Sequence, residues 1–269
     1  MPLRDVVRGQ IEWPRLEAVA RELARRYGRE SVRVEFLEAD NWLSTPCAVD
    51  DEWFVKVISP QNSLVHALFT TGRNIGAFSS GTPGFFEHVG SPIELAEREL
   101  EATERMREVG VNAPRPIEAF EVDGLGVLVL EYLDGFRTFE EVDDATAERF
   151  APTLIGSLSR LHEHRLVHGD LRAENVLLRE GCLYFIDATT VKEGEGIDDA
   201  RAYDLACAIA TLETRIGARR AVATARDVYT VDDLLAAREF LDFVNLRPDH
   251  DFDGTLLKGE IETAAGGRG

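Results

Sequence analysis

His168-Gly169-Asp170-Leu171-Arg172-Ala173-Glu174-Asn175, followed by Phe185-Ile186-Asp187, is the segment from which this 269-residue chain is best read. Upstream of it Phe150, Leu154, Leu158 and Leu161 recur at helical spacing, so a long amphipathic helix is expected from near Asp144, with Pro152 kinking it or shifting its start. Downstream, the pattern predicts two short strands within Leu166 to Asp187. A polar loop is thus held at both ends. One fixed position matches by chance about one time in twenty, so His-x-Asp alone says little. Asp170, Asn175 and Asp187 at this spacing and in this setting say far more. The competing reading is a surface loop whose Asp and Asn residues merely form turns.

Working back towards the start, Trp13, Leu16, Val19, Ala20, Leu23, Ala24 and Tyr27 predict one helix with a single apolar stripe, closed by Gly28. The period then becomes two. Val32, Val34 and Phe36 predict a strand, Trp42 to Val49 a second, and Trp53 to Ile58 a third that carries Lys56. Residues 59 to 92 are rich in Gly, Ser, Thr and Pro and read as a long insert. A helix from Pro92 to Val109 and strands at Ile117 to Glu121 and Gly126 to Glu131 follow. Tyr132-Leu133-Asp134-Gly135 reads as a connector. Beyond the central segment, Tyr203 to Leu212 predicts a helix, Thr230 caps another with Asp233, and the tail from Thr263 reads as frayed. The result is an α+β chain in two lobes, 1–133 β-rich and 134–269 mostly helical.

Composition narrows the function. Net charge is −19, which repels nucleic acid and anionic lipid over most of the surface and disfavours broad nucleic-acid binding. The bases are almost all arginine; only Lys56, Lys192 and Lys258 are lysine. An acidic, lysine-poor surface suits a salt-rich cytoplasm, where counterions screen self-repulsion. A lysine inside a strand then stands out, although an edge-strand lysine guarding against aggregation is the bland alternative. Arg215, Arg219, Arg220 and Arg226 could meet an acidic partner, or simply offset nearby carboxylates. Cys47, Cys182 and Cys207 are scattered and read as buried reduced thiols. No run is long and apolar enough to span a membrane, and residues 1 to 10 lack the apolar core of a secretory signal, so a cytoplasmic location is expected.

The central segment resembles the catalytic loop of the protein-kinase superfamily, H-x-D-L-x-x-x-N, followed by a metal-binding aspartate. The resemblance covers roughly Val32 to Leu212 and implies the protein-kinase-like two-lobe fold with ATP as cofactor. It gives Asp170 the role of accepting or orienting the attacking hydroxyl's proton. Asn175 and Asp187 become ligands of Mg2+ (or Mn2+), which prefers oxygen donors. It makes Lys56 the strand lysine that neutralises the α- and β-phosphates, paired with a helix glutamate, Glu99 or, failing that, Glu101. Glu131-Tyr132-Leu133 resembles the hinge between lobes, with backbone groups of Glu131 and Leu133 on adenine. His168 belongs to the loop's structural frame, and Asp204, in Arg201-Ala202-Tyr203-Asp204-Leu205-Ala206, to the helix that braces the loop backbone. Arg172 could touch the transferring phosphate, or pair with Glu174 or Asp187.

The departures from the family pattern narrow the match. The turn expected over the phosphates, Glu38-Ala39-Asp40-Asn41-Trp42-Leu43-Ser44, has no glycine, and Phe54 stands where a small residue usually lies above adenine. Ile186-Asp187-Ala188 replaces D-F-G, there is no A-P-E motif, and Asp187 to Asp204 is too short for a standard activation segment. These features resemble the atypical RIO kinases and the small kinase of the KEOPS tRNA-modification complex; RIO proteins also carry an insert after the third strand. Aminoglycoside and choline-type phosphotransferases share H-G-D-L-x-x-x-N but usually have His-Pro-Gly inside the loop. The sequence therefore supports an atypical RIO-like serine/threonine kinase or ATPase acting on a protein or small-molecule hydroxyl. A small-molecule kinase and a weakly active nucleotide-binding scaffold are the competing readings.

Overall fold

The computed structural model of the chain describes residues 11–37, 44–61, 90–188, 196–245 and 252–266. Most of the 59–92 insert and most of the glycine-free turn, 38–43, lie outside them. The described residues divide into two compact units: 11–37, 44–61, 90–104 and 114–134 in the first, and 105–113, 135–188, 196–245 and 252–266 in the second.

The first unit is a five-stranded antiparallel sheet with strands β1 (Val34–Phe36), β2 (Thr45–Val49), β3 (Trp53–Ile58), β4 (Pro116–Val122) and β5 (Leu125–Glu131), in the order β1-β2-β3-β5-β4. The pleat separates two faces. Trp53, Val55 and Val57 of β3 and Leu125, Val127 and Val129 of β5 share one core with Val19 and Leu23 of helix α1 (Trp13–Arg26). Ile58, Leu128 and Leu130 lie on the opposite face with Ala96 of helix α2 (Pro92–Glu108). Each helix therefore buries one side of the sheet. Trp13, expected on the buried stripe, is instead 70% exposed and meets Phe36 ring to ring at 6.1 Å. It occupies the first helical position, where the stripe has run off the core.

The second unit holds a three-stranded sheet, β6 (Arg137–Thr138), β7 (Val176–Arg179) and β8 (Cys182–Phe185), in that order. Its helices are α3 (Asp144–Glu163), α4 (Ile197–Ile216), α5 (Ala218–Arg226), α6 (Val231–Arg238), α7 (Leu241–Asn245) and α8 (Gly254–Gly266). Asp143 caps α3 by accepting from the Thr146 N–H at 2.8 Å, and Pro152 sits inside α3 without shifting its start. Thr230 and Asp233 form a reciprocal capping box on α6. Helix α4 is longer than the Tyr203 to Leu212 expected, because its small residues Ala206, Cys207, Ala208 and Ala210 let neighbours pack on all sides. The tail is a correction: residues expected to fray continue α8 to Gly266, held by buried Leu257 and Ile261. Cys47 and Cys207 are buried, but Cys182 is exposed, since it leaves the Glu180-Gly181 turn on the outer side of β8. In the arginine cluster, Arg215 pairs with Asp144 at 3.3 Å and Arg220 with Glu148 at 2.8 Å.

Candidate active site

In the first unit the candidate residue is Lys56. Strand β3 is the centre of five, so this lysine guards no sheet edge. Alternation puts its side chain on the α2 face, where it is 5% exposed. An ammonium buried to that degree needs a compensating charge. Glu99 supplies it with both oxygens, at 2.8 and 2.9 Å from Nζ. Glu101 is exposed to solvent. The helix can approach closely enough because β5 has glycine beneath its start. A Cβ on Gly126 would lie 2.1 Å from the Pro92 carbonyl oxygen. Phe54 lies on the same face as Lys56 and packs against Leu128 and Leu130.

At the end of β5, Glu131 is committed to Arg115. Its N–H donates to the Arg115 carbonyl at 2.9 Å, and its carboxylate accepts the Arg115 N–H at 3.1 Å. The Tyr132 N–H donates to the Glu52 carbonyl at 3.1 Å. Among the described residues no acceptor is seen for the N–H of Leu133, whose side chain is buried.

The second unit assembles the loop. Leu171 and His168 are fully buried, and the His168 ring meets Phe185 edge-on at 5.7 Å. Gly169 has φ of 81°, a conformation that side-chain-bearing residues adopt at a cost. That turn aims two successive amides at one carboxylate: Asp204 accepts the His168 N–H at 2.5 Å and the Gly169 N–H at 2.7 Å. Asp204 is itself 0% exposed, on α4. Burial pushes the His168 imidazole below its ordinary range, against the opposing charges of Asp204, Asp170 and Asp187.

Beyond Asp170 the chain makes a short 3-10 turn, Ala173–Asn175. The Asn175 side-chain amide donates from Nδ2 to the Asp170 carbonyl at 2.8 Å, which turns its Oδ1 the other way. The Ile186 N–H donates to the Asn175 carbonyl at 3.0 Å, extending the β7–β8 ladder one step past the Val176–Phe185 pair. Asn175 and Asp187 therefore stand at the open end of one hairpin. Asp187 adopts φ of 59°, so the chain turns sharply as the ladder ends. Arg172 lies between two acids, with Nε 3.4 Å from Asp170 Oδ2 and Nη1 3.5 Å from Glu174 Oε2.

Further residues that the sequence reading passed over hold this arrangement. The Phe139 N–H donates to the carbonyls of Ala173, at 3.1 Å, and Val176, at 2.7 Å. Asn112 lines the outer edge of β8: its carbonyl accepts the Phe185 N–H at 2.9 Å and its Nδ2 donates to the Leu183 carbonyl at 3.2 Å. His162 places Nε2 3.4 Å from Asp204, and the Tyr229 hydroxyl lies 2.8 Å from His162 Nδ1. A histidine on the buried stripe of α3 was a visible signal for His162. Tyr229 carried none, being far away in sequence.

Against this geometry the comparisons are specific. Residues 91–195 match the RIO domain. Over 114 residues, 39% of this chain and 50% of the other, it is 36% identical to the KEOPS complex subunit Bud32 of Pyrococcus abyssi (strain GE5 / Orsay). In this part of the chain it is similar to atypical RIO-type protein-kinase-like proteins. The chain is also 30% identical over 100 residues, 33% of its length, to serine/threonine-protein kinase 36 of Mus musculus, covering 8% of that protein. It thus spans about half the length of the Pyrococcus relative and a small part of the mouse one. Among solved structures, an aminoglycoside-3'-phosphotransferase of type VIII matches with a TM-score of 0.53 and 19% identity, over 86% of this chain and 99% of that one. That likeness concerns the fold, which is α+β and kinase-like.

Proposed function

We propose that this chain is an ATP-dependent phosphotransferase of RIO type, an atypical serine/threonine protein kinase or regulatory ATPase that works with Mg2+ (or Mn2+). The observation that carries this reading is the pair Asn175 and Asp187 at the open end of the β7–β8 hairpin, tied through Asn175 to Asp170. Among the described residues no cluster of three or more His, Cys, Asp or Glu side chains has the arrangement of an all-protein metal cage. A carboxamide oxygen and a carboxylate would suit a hard divalent ion, which prefers oxygen donors. When bound, such an ion neutralises charge on the transferring phosphate. Asp170, outside that ligand pair, orients the attacking hydroxyl and takes its proton. Lys56, held by Glu99, meets the α- and β-phosphates. The Leu133 N–H and the Glu131 carbonyl receive adenine, and Arg172 steadies the Asp170 carboxylate or passes to the phosphate.

The test is purified protein with γ-labelled ATP and Mg2+ or Mn2+ in molar salt. Label on serine or threonine of protein supports the kinase, and release of free phosphate supports the ATPase. Transfer to a small-molecule hydroxyl would move the chain to the small-molecule kinases, and failure to bind ATP would sink the reading. Asp187→Ala is expected to abolish metal-dependent turnover. Asp170→Ala should lower the rate by about 10²- to 10⁴-fold while ATP still binds, since a proton-transfer group acts in the reaction step alone. A wild-type rate in Asp170→Ala would remove the role given to it.

A further inference from the structure

Behind the loop lies a polar chain that reaches past the residues matching the RIO domain. Asp204 Oδ2 faces His162 Nε2 at 3.4 Å, and His162 Nδ1 faces the Tyr229 hydroxyl at 2.8 Å. All three are buried, with exposures of 0%, 3% and 8%. The Tyr229 ring also packs edge-on against the imidazole, at 5.7 Å between centroids and 66° between planes.

The chemistry of the three groups fixes the direction of the bonds. A neutral imidazole has one N–H and one lone pair. A lone pair on Nε2 would face a carboxylate oxygen, which repels it, so Nε2 must carry the proton. Nδ1 is then an acceptor, and the group opposite it must donate. Tyr229 can do so because its phenol stays protonated: burial, reinforced by the Asp204 charge, raises it well above the ordinary tyrosine range. We propose that Tyr229 is a positioning residue for the reaction: its hydroxyl locks His162 in the Nε2–H tautomer, and His162 then orients the carboxylate that holds the His168 and Gly169 amides. The proposal rests on the phosphotransferase reading only for its effect on turnover. Its effect on the tautomer and on the loop backbone does not depend on that reading.

The wild-type protein gives the first test, through the ¹⁵N shifts of the His162 ring at pH 8. The Nε2–H pattern is expected; an Nδ1–H pattern would overturn the proposal without any substitution being made. Tyr229→Phe keeps the ring packing and removes only the hydroxyl. It should mix the two tautomers and speed hydrogen exchange at the His168 and Gly169 amides by about tenfold, the effect of one lost buried hydrogen bond. Under turnover it should lower kcat by a similar factor with the KM for ATP unchanged. Wild-type tautomer and exchange in Tyr229→Phe would refute the proposal. His162→Gln gives Asp204 a donor that needs no tyrosine, so adding Tyr229→Phe to it should change exchange little further. Full additivity of the two would instead show that the Tyr229 hydroxyl acts by a route other than His162, and would overturn the proposal. If exchange responds as expected but wild-type protein transfers no phosphate, the functional reading fails and the positioning role stands.

Discussion

The three thiols illustrate how side-chain direction sets chemistry at the scale of the residue. Burial pushes the Cys47 thiol up to about 12, so it stays protonated and shielded at pH 8, and Cys207 lies in the packed centre of α4. Cys182 stands outside. Native protein should therefore react with a thiol reagent at Cys182 first, and Cys182→Ser should remove the fast phase. His168 gives a pH dependence with a defined sign. Its folded-state pKa is lowered by burial, so as pH falls the unfolded chain takes up its proton first. The stability present above the ordinary histidine range of about 6.5 is then lost on acidification, with a slope of up to about 1.4 kcal/mol per pH unit. Melting temperature should fall between about pH 6.5 and 5, and His168→Asn, though less stable at pH 7, should flatten that slope. An unchanged slope in the variant would assign it to other groups.

Helix α2 shows how a single position governs an element. Its first turn sits on β5 only because Gly126 has no side chain, and an added Cβ would also come within 2.4 Å of the Pro92 carbonyl carbon and 2.8 Å of the Ile93 nitrogen. Backbone on backbone cannot yield as a flexible side chain can. Gly126→Ala should cost about 1–3 kcal/mol, read as a lower melting temperature, and should shift the helix that carries Glu99. Loss of nucleotide-dependent activity is expected to accompany it; a wild-type melting temperature would refute the close approach. The elements themselves were mostly legible in sequence. The strands other than β2 and the stripes of α1 and α3 emerge within a residue or two of expectation, since burial of one face is written locally; β2, expected from Trp42, begins at Thr45, and residues 42 and 43 lie outside the described residues. Helix α8 was missed because Gly259, Ala264 and Ala265 give a weak local signal, and only packing of Leu257 and Ile261 rescues it.

For the whole molecule, charge is the governing quantity. Many arginines are already engaged, as Arg26 is with Glu118 at 2.5 Å, yet the balance remains −19. Residual repulsion between exposed carboxylates is long-ranged in dilute buffer and is screened beyond roughly 3 Å in molar salt. The melting temperature is expected to rise from about 0.05 M to about 1 M sodium chloride. A flat profile would show that local pairing already cancels the repulsion. Among the described residues no helix is long and apolar enough to cross a membrane.

The sequence by itself determined the alternation that puts Lys56 on one face of its strand, and the order of Asp170, Asn175 and Asp187 along the chain. Those are properties of near neighbours, carried by spacing. Only the tertiary structure decided that β3 is central rather than an edge, and that Glu99 rather than Glu101 meets the lysine. The bracing of the loop by Asp204, His162 and Tyr229 was equally invisible in its full extent, because Tyr229 lies 67 positions from His162. A hydrogen bond of that range depends on how α3, α4 and the turn before α6 pack together, and no local pattern of residues records it.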